Sequence, residues 1–300
     1  MTETEKSKSL YIECNTGISG DMAVAALIDL GADIESLEKT LNSVKSLNIG
    51  EFDIQIRHVV KSGIIACDFN VCLSEENPDH DMHYLYGHEH MSENIEAEYS
   101  NIEEHNHSHE NIYFHKGEKE GHIHTHLHRS FKDIKKLIEK VDMTDDAKAL
   151  VLKIFTIIAN AEASVHGMNV EEVQFHEVGA LDSIIDIIAA AVCYDTIIKK
   201  YDLKSTIITH VVDGTGTIRC RHGVIPVPVP AVVKIAEAEK LPLSVTGRKG
   251  EFVTPTGAAF AAAVKTAEEL PDTFHIIKTG TGAGKRDYVI PGILRAMIIE

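Results

Sequence analysis

Apolar positions along the chain change period several times, and each change marks a new element. Residues 10–14 form a short β-like run that breaks at a glycine-rich turn over 15–20. Residues 21–30 (DMAVAALIDL) carry a helical pattern stopped by Gly31, and Asp33 and Ser36 can cap a second helix reaching Val44. Two β-like runs, 52–60 and 64–73, flank Lys61-Ser62-Gly63 and predict a hairpin. A short amphipathic helix is expected at 130–140 and a longer one at 142–168. In the longer one Leu150, Ile154, Ile157, Ile158, Ala161 and Val165 keep helical spacing up to a stop at Gly167. After a turn at 175–180, residues 182–199 are apolar nearly all round, which predicts a central helix. The remainder reads as a strand at 205–212 and a returning segment at 214–221. Pro226, Pro228 and Pro230 introduce a helix at 231–239, and a connection over 247–256 leads to an alanine-rich helix at 257–268. A strand at 273–279, a glycine loop at 280–287 and a strand at 293–299 follow. Strands and helices mix without a regular βαβ rhythm, so the expected class is α/β (α+β), with mixed sheets and helices.

One stretch breaks the pattern. Residues 75–128 are polar, rich in His, Glu and Asn, and show no sustained apolar period. Such a composition cannot bury enough surface to offset chain ordering, which predicts a flexible, disordered insertion. The expected organisation is an N-terminal α/β unit over 1–74, the histidine-rich insertion over 75–129 and a main α/β unit over 130–300.

Composition narrows the function. Of 300 residues, 44% are hydrophobic, enough for a substantial core. No apolar run reaches the roughly 18 to 20 uninterrupted residues of a membrane span. The short polar start has no signal-peptide hydrophobic region behind it, so a cytoplasmic protein is expected. The five cysteines, Cys14, Cys67, Cys72, Cys193 and Cys220, are scattered and never form CxxC, which indicates neither a disulfide framework nor a zinc ribbon. A formal charge of −17 repels nucleic acid and attracts divalent cations. A phosphate-bearing ligand would therefore need a local site of glycine amides and arginines.

Four segments place reactive residues beside glycines. In Gly17-Ile18-Ser19-Gly20-Asp21-Met22 a glycine turn opens a helix after a strand, where amides and dipole can hold an anion; the plainer reading is that Ser19 or Asp21 simply caps the helix. In residues 175–186 (FHEVGALDSIID), Asp182 and Asp186 are four apart and share one helix face, with His176 and Glu177 just before it. An imidazole and carboxylates at one helix end suit a divalent metal. The plainer reading makes Asp182 a cap and Asp186 a partner of an amide or arginine. Yet an apolar helix has little reason to bury Asp186, because an unpaired buried carboxylate is unfavourable. The third segment concentrates Arg219, Cys220, Arg221 and His222: guanidinium forks for phosphate and a soft thiol for a nickel- or sulfur-bearing group, or a plain strand with solvated arginines. The fourth is a pair, Thr254-Pro255-Thr256-Gly257 at a helix start and residues 280–287 with Lys285 and Arg286. Both have the makings of phosphate contacts, and both can be a simple cap and hairpin loop. Histidine completes the set: 18 residues, including alternating His105, His107 and His109 and then His122, His124, His126 and His128. Neutral imidazoles at that density suit nickel, copper or zinc without fixed geometry, as a reservoir or delivery arm; the plainer reading is a polar spacer whose histidines are incidental.

Taken in order, residues 10–22 (LYIEC…GISGDM), 163–167 (ASVHG), 175–186, Arg219-Cys220…His222-Gly223…Pro226-Val227-Pro228 and 254–257 (TPTG) resemble one family across nearly the whole chain. It is the nickel insertion family of the nickel-pincer nucleotide pathway, which supplies lactate racemase, and its members commonly carry a histidine-rich insertion here. The resemblance implies a nickel chelatase (cyclometallase). Ni(II), the substrate metal, enters a pyridinium bisthiocarboxylate mononucleotide through two nickel–sulfur bonds and one nickel–carbon bond, with CTP hydrolysis aided by Mn(II) or Mg(II). On that reading Asp21, His176, Glu177, Asp182 and Asp186 hold metal or accept the ring proton. Arg219, Arg221, Thr254, Thr256 and Arg286 grip phosphate, and Gly17, Ser19, Gly20, Cys220, His222 and Gly257 complete the nucleotide site.

Two departures are visible. Glu13 stands where the family usually has Asp. The chain also reaches Glu300 where full-length members continue into a domain to which CTP binding is attributed. The resemblance therefore implies a separately encoded C-terminal partner polypeptide, a recipient apo-enzyme such as lactate racemase, and a homo-oligomer. The competing readings are a non-catalytic nickel store or chaperone, and a generic metal-dependent nucleotide hydrolase.

Overall fold

The computed structural model describes residues 7–73, 129–175, 180–220 and 222–300. The histidine-rich insertion, with His105, His107, His109, His122, His124, His126 and His128, lies outside the described residues. So do His176, Glu177 and Arg221.

Among the described residues the largest sheet has six strands. In spatial order they are β2 (Phe52–Lys61), β3 (Ile64–Leu73), β10 (Ile276–Ala283), β11 (Ile293–Ile299), β1 (Ser9–Glu13) and β6 (Ser205–Ile207). β1 runs antiparallel to β11 and parallel to β6, while β3 lies parallel to β10, so the sheet is mixed and joins strands from both ends of the sequence. A second sheet has β7 (Val211–Cys220) between β8 (Gly223–Val227) and β9 (Leu243–Lys249). A two-residue pairing, β4 (Arg129–Ser130) with β5 (Gln174–Phe175), brackets the helical segment over 131–173. The expected α/β class with mixed sheets is what the chain adopts.

Helix α1 (Gly20–Leu30) packs flat on the six-stranded sheet. It does so because β10 presents glycines. A Cβ on Gly280 would lie 2.3 Å from the Ala26 carbonyl oxygen, and one on Gly282 would lie 2.2 Å from that of Met22. Both distances are inside van der Waals contact with helix backbone, so only glycine allows this approach. The glycine loop expected over 280–287 is therefore corrected: its first half is strand, and only the segment after Ala283 turns.

Above α1 lie α2 (Ile34–Lys45), α3 (Phe131–Lys140), α4 (Asp145–His166) and α5 (Leu181–Tyr201), followed in the chain by α6 (Pro230–Glu239) and α7 (Pro255–Val264). α5 contacts α1, α2 and α4, and α4 in turn contacts α6 and α7. The near-continuous apolar run of α5 is explained by that central place, with Ile184, Ile185, Ile188, Ala189 and Cys193 fully buried. α4 is by length and composition apolar enough to cross a membrane, but Val151, Ile154, Phe155 and Ile158 are buried in the same core.

Four further expectations are corrected. The strand over 205–212 is two strands in different sheets, because the chain leaves β6 at Ile207 and starts β7 at Val211. Residues 214–220 continue β7 rather than returning from it; β8 is the return. β9 lies partly in a stretch read as connection, where alternating Ser244, Thr246 and Arg248 leave little apolar signal. The alanine-rich helix also ends at Val264, four residues early.

Candidate functional site

The β1–α1 turn and the segment before α7 cross one another. The Ile18 amide donates to the Phe252 carbonyl at 2.9 Å, and the Thr254 amide donates to the Ile18 carbonyl at 3.1 Å. Two glycines make the crossing possible. A Cβ on Gly17, whose φ is +96°, would meet the Phe252 carbonyl oxygen at 2.1 Å, and one on Gly257 would meet that of Ile18 at 2.2 Å. Both glycines thus have a packing reason for their identity.

Buried Asp213 fastens the crossing from below. Its Oδ1 accepts from the amides of Gly214 and Phe252, each at 2.7 Å, and of Val253 at 3.2 Å. Oδ2 is buried with no hydrogen-bond partner among the described residues. Burial pushes this carboxyl up to about 6, against the pull of the three amides. The folded state therefore holds a proton that the unfolded chain releases, so stability falls as pH rises from about 4 to about 6 and then levels. A two-unit shift corresponds to about 3 kcal/mol. Asp213→Asn keeps Oδ1 and removes the charge, so the stability difference between variant and wild type should grow by about 2–3 kcal/mol across that window. Denaturant midpoints measured from pH 4 to pH 7 check this, and parallel curves would contradict it. Nothing in the local sequence around Asp213 marked it.

A cleft of about 80 Å³ opens beside the crossing. Asp21, Ser19, Thr16, Thr254, Glu251, Lys285, Arg286 and Tyr288 are among its lining residues. Ser19 sits at the N-cap position of α1 yet makes no side-chain cap bond; its hydroxyl donates to the Asp21 carboxylate instead. The simple cap reading of that turn does not hold. Thr254 does cap α7, accepting from the Gly257 amide at 3.2 Å, and its hydroxyl also lies 2.9 Å from that of Thr256. Thr256 is not among the lining residues. Glu251, buried, pairs with Arg286, and the Tyr288 hydroxyl donates to the Glu251 carbonyl at 2.8 Å. Lys285 pairs with buried Asp68, whose other oxygen accepts from Arg57 Nε at 2.9 Å. Two cations thus stand at the cleft on buried carboxylate supports. Glu251, Tyr288 and Asp68 were missed by sequence reasoning; an acid three residues before Thr254 was the available signal for the first.

The head of α5 brings its carboxylates near Asp21, although neither Asp182 nor Asp186 is among the residues that line the cleft. Its N-cap is Ala180, so Asp182 lies in the first turn and is not the cap, and Asp182 Oδ1 is buried. Asp186 packs against Gly20: a Cβ there would lie 3.0 Å from that of Asp186 and 3.1 Å from its Oδ2. Burial, and then the Asp21 and Asp182 carboxylates, push the Asp186 carboxyl well above the usual carboxylate range, with Lys285 pulling the other way. Among the described residues no hydrogen bond sets its ionisation; its influential neighbours are those two acids and one lysine. Asp21, Asp182 and Asp186, read from two segments 160 residues apart, converge. Among the described residues no three such donors already meet in a metal-holding group, but neighbouring carboxylates of this kind suit a divalent cation with oxygen ligands, which relieves their repulsion. Glu13 stands apart, paired with Arg295 and accepting from Asn15 Nδ2 at 2.9 Å.

Arg219, Cys220 and His222 lie elsewhere, on the β7–β8 hairpin, and none lines the cleft. Arg219 is exposed. Cys220 Sγ is 3.8 Å from His222 Nδ1, and the His222 ring centroid is 5.0 Å from that of His166 at the end of α4.

The chain is thus an α/β scaffold with three neighbouring carboxylates near a helix head and a cleft that carries two cations. A family model for nickel insertion proteins matches residues 10–300, so the chain belongs to the nickel insertion protein family. It is 44% identical over 98% of its length to a protein of Alkaliphilus metalliredigens called pyridinium-3,5-bisthiocarboxylic acid mononucleotide nickel insertion protein. Proteins of the same name from Clostridium acetobutylicum and Akkermansia muciniphila are 42% and 38% identical, over 97% and 98% of this chain. The chain spans 61%, 64% and 60% of the length of those three relatives. No solved structure matches it.

Proposed function

We propose that this chain inserts Ni(II) into pyridinium-3,5-bisthiocarboxylic acid mononucleotide to form the nickel-pincer nucleotide, working with a C-terminal partner polypeptide. The convergence of Asp21, Asp182 and Asp186 beside a cleft carrying Lys285 and Arg286 is the observation that carries this reading. The names of the relatives support it from a separate direction.

The chemistry asks for three things. Nickel must be offered from oxygen ligands, which hold this borderline ion less tightly than sulfur and so release it to the two thiocarboxylates. The ring carbon must lose a proton as the nickel–carbon bond forms, and a carboxylate at the α5 head accepts it. The nucleotide phosphate needs cations, which Arg286 and Lys285 supply against the acidic average field. His176 and Glu177, immediately before α5 in sequence, are proposed to join the metal set, and Arg219 and Arg221 to meet an outer part of the nucleotide. CTP with Mn(II) or Mg(II) is assigned to the partner polypeptide. The histidines at 105–109 and 122–128 are proposed as a reservoir for the substrate ion, cytoplasmic operation as its setting, and an apo-enzyme such as lactate racemase as the recipient.

The test mixes this chain with Ni(II), CTP and the bisthiocarboxylate nucleotide, with and without the C-terminal polypeptide. Nickel–carbon bond formation, followed by loss of the ring proton signal and gain of one nickel in the nucleotide mass, is expected only with the partner present. Nickel bound to protein with the nucleotide unchanged in both mixtures would instead make the chain a store.

A further inference from the structure

The end of α4 and the β7–β8 hairpin bring together a donor set that the carboxylate cleft does not use. Glu162 and His166 are one helical turn apart, with His166 Nε2 3.4 Å from Glu162 Oε2. His222 stacks beside His166 with ring centroids 5.0 Å apart and a 33° tilt, and Cys220 Sγ is 3.8 Å from His222 Nδ1. Cys220 is buried, the Glu162 and His166 side chains are mostly covered, and His222 is exposed.

We propose that Glu162, His166, Cys220 and His222 form a second metal site, one that takes a borderline-soft divalent ion at the surface, separate from the oxygen-ligand site at the head of α5. That the ion is nickel rests on the proposed function; that the site prefers nickel, copper or zinc to magnesium or calcium rests on its donors alone. One thiolate, two imidazoles and one carboxylate form a mixed S, N, O set that hard cations do not select.

The spacing agrees. With metal–nitrogen and metal–oxygen bonds of about 2.05 Å and metal–sulfur of about 2.3 Å, the edges of a tetrahedron are about 3.4 Å between light donors and about 3.6 Å to sulfur. The Glu162–His166 and Cys220–His222 separations are 3.4 and 3.8 Å. Among the described residues no three such donors already meet at one point, so the proposal requires the exposed His222 side chain to turn toward the other three donors when the ion binds. A plain stacking of two imidazoles explains neither the thiol beside Nδ1 of one ring nor the carboxylate beside Nε2 of the other.

Nickel in the chain would then pass from a sulfur- and nitrogen-rich loading site to an oxygen-rich transfer site. Softer ligands hold the ion first and harder ones release it to the substrate's sulfurs.

The test uses the full chain, reduced, metal-free and under anaerobic conditions, with Ni(II) alone as the probe. The histidine-rich insertion contains no cysteine, so a thiolate-to-nickel charge-transfer absorption cannot arise there. The expected result is one such band per chain, lost in Cys220→Ser and unaltered in Cys72→Ser. Half-saturation of that band should shift about tenfold or more to higher nickel in Glu162→Gln and His222→Gln, as loss of a metal-supporting group does elsewhere. His222→Gln lies on an exposed turn and keeps the question open should the buried Cys220 variant fold poorly. No thiolate band, or a band that survives Cys220→Ser, overturns the site. Nucleotide metallation measured on the same samples separates the two claims. A band without metallation leaves this site standing and removes the proposed reaction, whereas metallation without a band does the reverse.

Discussion

Asp186→Ala is expected to lower nickel insertion by at least about a hundredfold, the range removed with a group that transfers a proton or holds the reacting ion. The same substitution should leave the melting temperature unchanged or raise it. Asp186 is packed against Gly20 with Asp21 and Asp182 nearby, and burial and repulsion both oppose its charge. Removing one member of a crowded, half-buried set of like charges relieves strain in the metal-free protein. Asp182→Ala should behave alike, since both acids project from the first two turns of α5. The pairing of outcomes matters more than either alone. A structural carboxylate loses stability and activity together on removal, whereas a functional one loses activity and returns stability. Metallation rates and thermal melts on the two variants check this, and normal rates in both would remove these residues from the site.

The largest effect on stability is expected at Gly282. A Cβ there meets the backbone of α1 at two points, the Met22 oxygen at 2.2 Å and the Ala26 nitrogen at 2.5 Å. Helix backbone cannot turn aside as a flexible side chain can, so α1 must lift off the sheet. Overpacking in cores commonly costs about 1–3 kcal/mol, and a clash with two backbone atoms belongs at or above the upper end. Gly282→Ala should therefore lower the unfolding free energy obtained from denaturant titration by about 3 kcal/mol or more. Gly247→Ala is the control. It faces open space at an ordinary backbone angle, so it should stay within about 0.5 kcal/mol of the wild type. Because α1 carries Asp21, whatever native Gly282→Ala protein survives should also insert nickel poorly.

Much of the fold could be read in the chain because its helices announce themselves. The apolar run around Ile184–Ile188 belongs to the central helix, and the stops at Gly31 and Gly167 are left-handed helix caps as their glycines suggested. What escaped was long-range. Gly280 and Gly282 carry the local signature of a loop, yet they are strand residues chosen for the helix that crosses them, and only the tertiary contact reveals the reason. β9 escaped because it has only two apolar residues, Leu243 and Val245, and both lie at its start, so alternation is faint.

The site divides in the same way. Asp182 and Asp186 were legible because two acids on one face of an apolar helix demand an explanation. Asp21 came from the glycine turn in front of it, and the structure adds what spacing could not: that this turn meets the α5 head. Asp68 and Asp213 act as buried supports with partners remote in sequence and no local pattern to distinguish them, while Glu251 had only its place three residues before Thr254 to mark it. His166 stood within the family-like segment 163–167, but its neighbours Cys220 and His222 arrive from another sheet.

Anomalous diffraction at the nickel edge, from crystals of the chain grown with Ni(II) and the bisthiocarboxylate nucleotide, puts the central assignment to its most direct trial. A nickel peak within bonding distance of the Asp182 and Asp186 carboxylates, with the nucleotide phosphate toward Arg286, is the predicted result. A peak beside Cys220 and His222 with none among the three carboxylates would contradict it.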